Sequence, residues 1–409
     1  MQVYLVGGAV RDELLGLPVG ERDWCVTGAS PSELLDAGYR QVGKDFPVFL
    51  HPESGEEYAL ARTERKTGPG YHGFEFDTSK DVSIEADLER RDLTINAMAR
   101  DANGALIDPW GGKADIERRL LRHVSDAFAE DPVRILRVAR FAARFHAKGF
   151  RVAPDTLALM RRMVDAGEAD ALVPDRVWKE TERALCGPAS RVFFETLRAA
   201  GALARVYPEI DALFGVPQPE RWHPEIDTGV HVMMVLDAAE RLGADAAVRF
   251  AALVHDLGKA TTPADSLPSH PGHERQSAEL IRALADRLPV PRAWRDLAVV
   301  VAEYHTHCHR VLELRPGTVL KVLEKSDAFR RPERFEQFLL ACEADARGRL
   351  GLENRDYPQT DYLRGALGAA LSVNAGDVAE RHRGGDIPAE IRRARVRELA
   401  AFKKGYEPP

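Results

Sequence analysis

The chain has 409 residues, which is more than one compact core supports and predicts two to four domains. Hydrophobic residues make up 44% of the sequence and charged residues 30%, a composition that is typical of a folded globular protein and argues against extended disorder. The net charge of −7 argues against indiscriminate binding of nucleic acid, so any RNA contact must come from a local basic surface.

The N-terminal segment MQVYLVGGAVRDELLG is apolar at first, but its charged residues argue against a secretion signal. No uncharged apolar stretch approaches the roughly 18 residues that suggest a membrane-spanning helix. The cysteines lie far apart and form no CxxC pair, at Cys25, Cys186, Cys308 and Cys342. This spacing indicates free thiols in a reducing compartment. We therefore expect a cytoplasmic protein without a membrane partner.

The predicted secondary structure changes character along the chain. Up to about residue 110, short apolar runs alternate with turns, which predicts an α/β region. The glycines of GPGYHG at 68–73 predict a mobile loop. From about residue 113 onward the periodicity is helical, and the proline-rich segment 215–225 is the best candidate for a linker.

A tight glycine turn opens the α/β region. In LVGGAVRD, the backbone at Gly7 and Gly8 can approach a phosphate closely before a helix starts, so we expect Gly8 and Arg11 to hold a triphosphate. Glu21 and Asp23 then lead into another strand, on which residues two apart project to the same face. Their oxygen ligands suit Mg²⁺, and a two-metal site could activate a 3′ hydroxyl and neutralise a departing pyrophosphate. The alternative is a plain turn with charges at a strand entrance.

Four motifs occur in order within about the first 210 residues. They are GGAVRD, ERDW, RRDLTINAMA at 90–99 and EDPVRILRVARF at 130–141. Together they resemble the ordered motifs of class II tRNA nucleotidyltransferases, which include the CCA-adding enzymes and bacterial poly(A) polymerases. The resemblance implies a polymerase-β-like head in which the two acidic residues bind catalytic metals. The family's acidic pair is often Asp-x-Asp, and here its first member is Glu21, whose longer arm still reaches a metal.

The third motif carries further nucleotide contacts by the same resemblance. It gives Arg91 a contact with the nucleotide and places Asp92 and Asn96 near the sugar. Asp92 is also suited to cap a helix that begins at Leu93, and the two roles are compatible.

The fourth motif combines a helix start with a pair suited to base selection. Asp131 followed by proline predicts a helix N-terminus. A carboxylate accepts from the exocyclic amino group of C or A, and Arg134 can donate to the neighbouring edge of the base. Together they could select C and A without a template, and a purely structural cap is the alternative.

A basic run follows the helix start. Eight basic residues lie between positions 134 and 162 against one acidic residue, Asp155. On a helix, Arg137, Arg140 and Arg144 fall within one narrow sector, opposite an apolar face. We expect Arg137 and Arg140 to face nucleotide or RNA phosphates, and a solvated helix face is the alternative.

Beyond the proline-rich segment, His231, the pair His255 and Asp256 in ALVHDLGK, and Asp345 occur in the order H…HD…D. An HD pair alone is weak evidence, but this order resembles the HD phosphohydrolase superfamily. The resemblance implies a metal site where activated water attacks a phosphate ester, such as a 2′,3′-cyclic phosphate or a 2′-nucleotide. Imidazole ligands predict a transition metal there, Ni²⁺, Mn²⁺ or Co²⁺.

Other histidines accompany this motif. His270 and His273 in SHPGHE could flank the same pocket. His305 and His309 are spaced to share a helix face, and we expect a solvated or structural role for them and for His307.

The sequence therefore predicts an α/β head of the polymerase-β type, followed by a mostly α-helical neck, body and HD domain. The expected divisions are 1–125 for the head, 126–220 for a neck and body that select nucleotides and bind tRNA, 221–350 for the HD domain and 351–409 for a helical tail. The expected function is template-independent addition and repair of the 3′-terminal CCA of tRNA from CTP and ATP, by a monomer or weak homodimer. A poly(A) polymerase and an HD phosphohydrolase with an RNA-binding head are the alternatives.

Overall fold

The computed structural model describes residues 1–42, 48–66, 74–77, 79–383 and 385–407. The chain divides into two compact units, of which the first contains Met1–Ala184 and Val192–Val206 and the second contains Leu185–Arg191 and Tyr207–Pro409. The loop predicted at 68–73 lies outside the described residues. In the part of the chain that is described, no helix is long and apolar enough to cross a membrane.

The strands belong to the first unit. They lie at Gln2–Val6 (β1), Asp23–Thr27 (β2), Arg40–Val42 (β3), Val48–Leu50 (β4), Glu57–Leu60 (β5), Thr63–Lys66 (β6), Phe74–Asp77 (β7), Ala99–Arg100 (β8), Leu106–Ile107 (β9), Leu120–Leu121 (β10) and Arg151–Val152 (β11). One mixed sheet has the order β3-β4-β5-β2-β1-β8-β9, in which β1 runs antiparallel to β2 and β2 runs parallel to β5. This sheet confirms the predicted α/β head.

Helices follow and surround the strands. They lie at Gly8–Leu14 (α1), Pro31–Asp36 (α2), Ile84–Glu89 (α3), Gly112–Arg118 (α4), Val133–Arg144 (α5), Pro154–Asp165 (α6), Pro174–Cys186 (α7), Ser190–Ala199 (α8), Leu203–Val206 (α9), Pro208–Asp211 (α10), Thr228–Arg241 (α11), Ala246–Val254 (α12), His273–Arg287 (α13), Arg292–His309 (α14), Pro316–Lys325 (α15), Pro332–Arg347 (α16), Gln359–Leu371 (α17), Ala375–Arg381 (α18) and Ile387–Gly405 (α19). Helix α5 begins one residue after the Asp-Pro pair, which confirms the helix start predicted from the fourth motif.

Both faces of the sheet are covered. Cys25 packs with Val6 and with Leu88 of α3 in one hydrophobic cluster. Its neighbour on β2, Val26, packs with Phe49 in a second cluster. Because successive residues of a strand point to opposite faces, β2 is buried on both sides and forms a rigid support for the residue at its start, Asp23.

The strand predicted to carry both acidic residues is shorter than expected. Val6, the last residue of β1, pairs with Asp23, and the residue opposite Glu21 would be Gly8, where α1 already begins. The ladder therefore stops at Asp23, and Glu21 lies in the loop before β2. The prediction that the two carboxylates share one strand was wrong, although they remain neighbours in the chain.

The second unit is helical, as predicted. Helices α11, α12, α14 and α16 pack against one another around buried apolar side chains such as Leu236, Phe250, Val301 and Phe338. Further along the chain, α17 and α19 pack together, and the ring of Tyr362 on α17 contacts the ring of Phe402 on α19. The four central helices supply most of the residues of the HD motif.

The proline-rich segment 215–225 is not an exposed linker. It belongs to the second unit, where Gln218 and His223 are buried. Its backbone forms an isolated bridge between Pro217 and Asp227. Prolines exclude a helix here but do not prevent the segment from packing against its unit, so the linker interpretation was wrong.

Candidate active sites in the two units

A cavity of about 920 Å³ opens in the first unit. Its walls come from the β1–α1 turn, the third motif, α5 and α7. Ten arginines and one lysine line it against four carboxylates, so its field is strongly positive and favours a polyanion. The predicted residues that line it are Gly8, Arg11, Asp23, Arg91, Asp92, Asn96, Asp131, Arg134, Arg137 and Arg140. Glu21 is not part of this lining.

The glycine turn brings backbone and arginine side chains together. Gly7 has a φ of 69°, a left-handed conformation that favours glycine, and its N–H donates to the carbonyl of Met98 at 3.1 Å. A Cβ at Gly7 would lie 2.9 Å from Nη1 of Arg91. The turn therefore has no room for a side chain, because the third motif packs directly against it.

Asp23 and Glu21 form the candidate metal-binding pair of this cavity. Partial burial raises the pKa of Asp23, Arg91 opposes the rise and Glu21 adds to it. This mutual repulsion is what a cation would relieve, and oxygen ligands suit a hard divalent ion. The residues present therefore fit a divalent metal, with the remaining ligands supplied by water and phosphate.

Carboxylates hold the arginines of α1 and α5 in place. Arg11 donates to Oδ1 of its neighbour Asp12 at 2.8 Å and to Oδ1 of Asn96 at 2.6 Å. Arg144 reaches the other oxygen of Asp12 at 3.0 Å, across 132 positions of sequence. The basic sector predicted on α5 therefore faces the cavity and not bulk solvent.

The third motif is tied to α5 through Asp92. Its Oδ2 lies 2.7 Å from Nε of Arg137, while Oδ1 accepts from the backbone N–H of Leu93 and from Asn96. Burial alone would raise the pKa of Asp92, but Arg137 and Asn96 hold the pKa below its ordinary value. Asp92 thus fixes a cavity arginine, but the predicted cap on a helix that begins at Leu93 was wrong. The short helix at this point is Thr94–Asn96, its N-cap residue is Leu93, and no side chain caps it.

Asp131 and Arg134 line the cavity with their polar groups already paired. Arg176 of α7 donates to both oxygens of Asp131, at 3.1 and 2.7 Å. Arg134 is buried, and its guanidinium donates to the carbonyls of Ala127 and Arg90 at 2.7 and 2.6 Å. Both side chains are therefore held in fixed orientations at the cavity wall.

Sequence reasoning missed two features of the head: a carboxylate that holds two of the cavity arginines, and one wall of the cavity. Asp87 of α3 is 2% exposed and lies 3.0 Å from Arg91 and 3.1 Å from Arg90. Burial alone would raise its pKa, but these arginines hold the pKa of Asp87 below its ordinary value. The spacing of three and four residues in IEADLERR was an available signal. The missed wall is the face of α7 that carries Arg176, Lys179, Glu180 and Arg183.

The second candidate site is a histidine–aspartate cluster in the second unit. His231 of α11, His255 and Asp256 at the end of α12, and Asp345 of α16 are all at most 3% exposed. Nε2 of His231 lies 3.1 Å from Oδ1 of Asp345, and Nε2 of His255 lies 3.1 Å from Oδ2 of Asp256. The structure thus brings together all four residues that the sequence predicted as metal ligands.

The imidazoles are oriented as metal ligands usually are. Nδ1 of His255 donates to the carbonyl of Ala252 at 2.8 Å, which leaves the lone pair on Nε2. Nδ1 of His231 lies 2.9 Å from the carboxylate of Glu225. The hydrogen bond from Nδ1 of His255 fixes the tautomer of this ring and raises its basicity as a ligand. Among the described residues, Nε2 of His255 has no hydrogen-bond partner although it is buried, so the donor set fits a divalent cation.

Several members of this cluster were not predicted. Glu225 and His223 come from the segment that was expected to be a linker, and burial lowers the pKa of His223 to about 4. Lys259 is buried, with Nζ 2.7 Å from Oδ2 of Asp256. Nδ1 of His309 is hydrogen-bonded to the hydroxyl of Tyr357, and Nε2 of His309 lies 2.6 Å from Oδ2 of Asp345. The sequence ALVHDLGK already placed Lys259 one turn after the HD pair.

His273 and His305 also lie at this cluster. Nε2 of His273 is 3.4 Å from Oδ1 of Asp256, which agrees with the expectation that His273 flanks the pocket. His305 is 3% exposed, and its Nε2 is 3.6 Å from the same oxygen. The role expected for His305 was solvated or structural, and its position on the buried face of α14 contradicts the solvated alternative.

Comparisons with known proteins agree with this division. The Poly A polymerase head domain family matches residues 3–122, the family described as probable RNA and SrmB- binding site of polymerase A matches 149–214, and the HD domain family matches 228–331. A basic cavity on a polymerase head and a histidine–aspartate cluster in an HD domain define the class, a metal-dependent nucleotidyltransferase that carries a second, HD-type site.

The agreement in sequence with curated relatives extends over nearly the whole chain. The chain is 67% identical over 404 residues to the Multifunctional CCA protein of Thioalkalivibrio sulfidiphilus, covering 98% of this chain and 99% of that relative. It therefore belongs to the multifunctional CCA protein family. In fold it is similar to a CCA-adding enzyme solved as a complex with CTP, with a TM-score of 0.64 and 19% identity over 97% of this chain and 87% of that one. The Thermotoga maritima CCA-adding enzyme complexed with tRNA gives a TM-score of 0.60 and 19% identity, covering 98% and 87%.

Proposed function

We propose that the first unit adds C, C and A in turn to the 3′ end of tRNA, using CTP and ATP, and repairs shortened ends. The single observation that carries this proposal is the cavity itself. All four ordered motifs contribute residues to its lining, although Glu21 does not, and arginines outnumber the carboxylates there. Membership of the multifunctional CCA protein family supports it, as do the fold relatives solved with CTP and with tRNA.

The reaction sets clear requirements for the cavity. The 3′ oxygen of tRNA attacks the α-phosphorus, the bond to the β-phosphate oxygen breaks, pyrophosphate leaves, and the hydroxyl proton is lost. Glu21 and Asp23 would hold Mg²⁺, which supplies charge neutralisation and makes the hydroxyl more acidic. Gly8, Arg11 and Arg91 surround the glycine turn and would bind the triphosphate oxygens.

The remaining cavity residues would orient the nucleotide. Asp92 and Asn96 would lie near the sugar, and Arg137 and Arg140 would face phosphate. The carboxylate of Asp131 and the guanidinium of Arg134 would read the base edge, because contacts within the protein fix both of them in the cavity wall. A rigid donor and acceptor pair rejects U and G because these bases present a carbonyl oxygen, which repels the carboxylate, where C and A present an amino group.

For the second unit, we propose hydrolysis of a phosphate ester at the cluster of His231, His255, Asp256 and Asp345. A bound Ni²⁺, Mn²⁺ or Co²⁺ would supply an activated water, since imidazole nitrogens are softer ligands than the carboxylates of the head. Lys259 contacts a ligand carboxylate at 2.7 Å and would place a positive charge where the phosphate binds. The candidate substrates are 2′,3′-cyclic phosphates and 2′-nucleotides.

Some sequence predictions remain proposals of this kind. They are the divisions 1–125, 126–220, 221–350 and 351–409, the cytoplasmic location and the monomeric or weakly dimeric state. The residue roles named above belong with them.

One experiment tests the proposed addition. Purified protein is offered a tRNA that ends before CCA, with CTP, ATP, UTP and GTP separately and then together. We expect two C residues from CTP alone, and a final A only when CTP and ATP are both present. Extension of this tRNA by ATP alone into a long tail would instead identify a poly(A) polymerase, and no extension together with intact hydrolysis would leave only the HD activity.

A further inference from the structure

Two cations of the head cavity differ from the others in having no partner. Eight of the lining arginines are held by a carboxylate, amide or carbonyl oxygen of the protein. They are Arg11, Arg90, Arg91, Arg134, Arg137, Arg140, Arg144 and Arg176. Lys179 and Arg183 also line the cavity, but among the described residues neither has a hydrogen-bond or ion-pair partner. Their charges are therefore available to a ligand.

The two unpaired cations lie on the same face of α7. Residues four apart on a helix have Cβ atoms about 5–6 Å apart, so like charges at Lys179 and Arg183 repel each other. Glu180 lies on this wall too, but its carboxylate is 8% exposed and 2.5 Å from Nε of Arg140, so it is already committed. Lys179 and Arg183 are both exposed. An anion that enters the cavity would relieve their repulsion.

The proposed reaction brings two phosphate-bearing molecules into this cavity. The 3′ oxygen of tRNA must approach the α-phosphorus to about 3–3.5 Å, so the end of the tRNA strand shares the space with the nucleotide. The triphosphate is assigned to the wall at the glycine turn, with Gly8, Arg11 and Arg91. Helix α7 forms a different wall, whose unpaired cations are left for the phosphates of the strand.

Helix α7 is also fixed relative to the residue proposed to read the base. Arg176 precedes the unpaired cations on the helix and donates to both oxygens of Asp131, at 3.1 and 2.7 Å. One turn later, Glu180 pairs with Arg140 of α5. Two ion pairs therefore hold α7 against the start and the middle of α5. A strand bound to α7 would keep a constant position relative to the selected nucleotide.

We propose that Lys179 and Arg183 bind successive phosphates of the single-stranded 3′ end of tRNA and so position its terminal hydroxyl. Their spacing along α7 is close to the distance between successive phosphates in an extended strand. An ammonium and a guanidinium group both bind phosphate, and neither side chain needs to leave a protein partner first. The proposal names the strand contact of the proposed nucleotide addition and rests on that function.

The first experiment separates the strand from the nucleotide by steady-state kinetics. Addition of C to a tRNA that ends before CCA is measured with Lys179→Ala and with Arg183→Ala. We expect the KM for tRNA to rise by about 3-fold to 10-fold, with the KM for CTP unchanged. The slope of log tRNA affinity against log salt should fall by about 0.7 in each variant, the value for one single-stranded phosphate. The charge-preserving changes Lys179→Arg and Arg183→Lys should restore most of the affinity.

A second experiment removes the charge from the other partner. Synthetic tRNA carries one neutral methylphosphonate at the last or the preceding linkage, which removes a phosphate charge without shortening the strand. The neutral linkage should weaken binding to the wild type by about 3-fold to 10-fold and binding to the matching variant little further, because the contact is already lost. Lys113→Ala is the matched control, since Lys113 is an exposed lysine of α4 outside the cavity lining. This variant should keep the wild-type KM values, the wild-type slope and the full cost of the neutral linkage.

The outcomes distinguish this proposal from the proposed function. A higher KM for CTP with unchanged affinity for tRNA would assign the two cations to the triphosphate and overturn the proposal. Additive losses from the neutral linkage and the variants, or wild-type tRNA parameters in both variants, would also overturn it. If the wild type adds no nucleotide, the proposed function fails. Equilibrium binding of the same modified tRNAs then decides the phosphate contacts without catalysis, and a non-additive loss there supports them.

Discussion

The two candidate sites hold their charges in opposite ways. The head cavity has about 920 Å³ of open space, surrounded by guanidinium groups that outnumber the carboxylates. In the HD cluster, the imidazoles and carboxylates of His231, His255, Asp256 and Asp345 are at most 3% exposed. An open basic cavity suits a large polyanion, whereas a buried set of nitrogen and oxygen ligands suits cations. The comparison indicates two separate chemistries in one chain, and changes of single residues can test that separation.

The strongest test removes metal ligation from the head. Asp23→Asn or Glu21→Gln should lower nucleotide addition by about 10³-fold, because an amide is a poor ligand for a hard cation. Binding of tRNA and phosphohydrolase activity should stay near the wild-type level. Addition rates, a tRNA binding titration and hydrolysis of cyclic phosphate are measured on each variant. Asp36→Asn, an exposed change on α2, is the matched control, and near-normal addition by the Asp23 variant would refute the metal assignment.

The reciprocal test removes a ligand from the HD cluster. Asp256→Asn should lower phosphohydrolase activity by about 10²-fold or more. The amide binds a divalent ion weakly, so the ion that activates the attacking water is held less well. Nucleotide addition should persist because Glu21 and Asp23 are unchanged. Both activities are assayed with Mg²⁺, Mn²⁺, Ni²⁺ and Co²⁺, with Asp265→Asn as an exposed control in the same unit. A folded variant that loses both activities would show that the two sites are coupled.

The two sites also differ in how much of them the sequence could predict. In motifs that are continuous in sequence, such as RRDLTINAMA and the HD pair, the functional residues lie close together along the chain. The structure brings these residues together as expected. Partners that arrive from distant elements carry no such local signal. Arg144 and Asp12 are 132 positions apart, and Arg140 meets Glu180 across 40 positions. Helical periodicity shows which face is polar but not which surface it meets.

Two errors of the sequence analysis have the same physical origin. The prolines of segment 215–225 exclude a helix, but they do not report burial, so Glu225 was missed as a partner of His231. The histidines of α14 were expected to be solvated or structural, and the solvated alternative is wrong for His305, which is buried beside the carboxylate of Asp256. In both cases a polar or irregular segment is buried against other polar groups, a situation that residue type alone does not reveal.

A third test addresses how the head fixes its arginines. Asp87→Asn should destabilise the first unit by roughly 3 kcal/mol, the lower end for removing one partner of a buried ion pair. The pKa of Asp87 is held below its ordinary value, so the carboxylate stabilises the fold above about pH 4 and this contribution is lost as the pH falls through the lower, folded-state pKa. Hydrogen exchange of peptides from α3 and β2, measured from neutral to acidic pH, should show a flatter profile in the variant. An unchanged profile would assign the acid sensitivity to other groups.

A fourth test concerns base selection in the head. Asp131→Ala and Arg134→Ala should raise incorporation of UTP or GTP relative to CTP and ATP by about 5-fold to 100-fold, since one base contact is worth about 1–3 kcal/mol. The affinity for tRNA should change less than the discrimination. Arg176→Ala separates direct reading from support, because it releases Asp131 without removing its carboxylate. If misincorporation by Asp131→Ala equals that of the wild type while the variant is merely less stable, the helix-capping role is the correct one.

The smallest expected effect lies at the edge of the basic run, where charge contacts are exposed. Arg144 lines the cavity with a 40% exposed side chain that is paired with Asp12, and Lys148 lies exposed just beyond the end of α5. If both face tRNA phosphates, Arg144→Ala and Lys148→Ala should each weaken tRNA binding modestly. Each change should also reduce the slope of log affinity against log salt by about one counterion, because each variant neutralises one phosphate fewer.

The salt dependence of tRNA affinity should change only when a charge is removed from the first unit. Arg275→Ala removes an exposed arginine from α13 of the second unit, where it pairs with Glu279, and serves as the control for loss of surface charge alone. Its binding curve should follow the wild type at every salt concentration. The two test variants should differ most from the wild type at low salt and converge with it at high salt, since screening removes the interaction that they lack. Parallel curves for Lys148→Ala and the wild type would confine the RNA footprint to the cavity itself, with Arg144 as its outermost member.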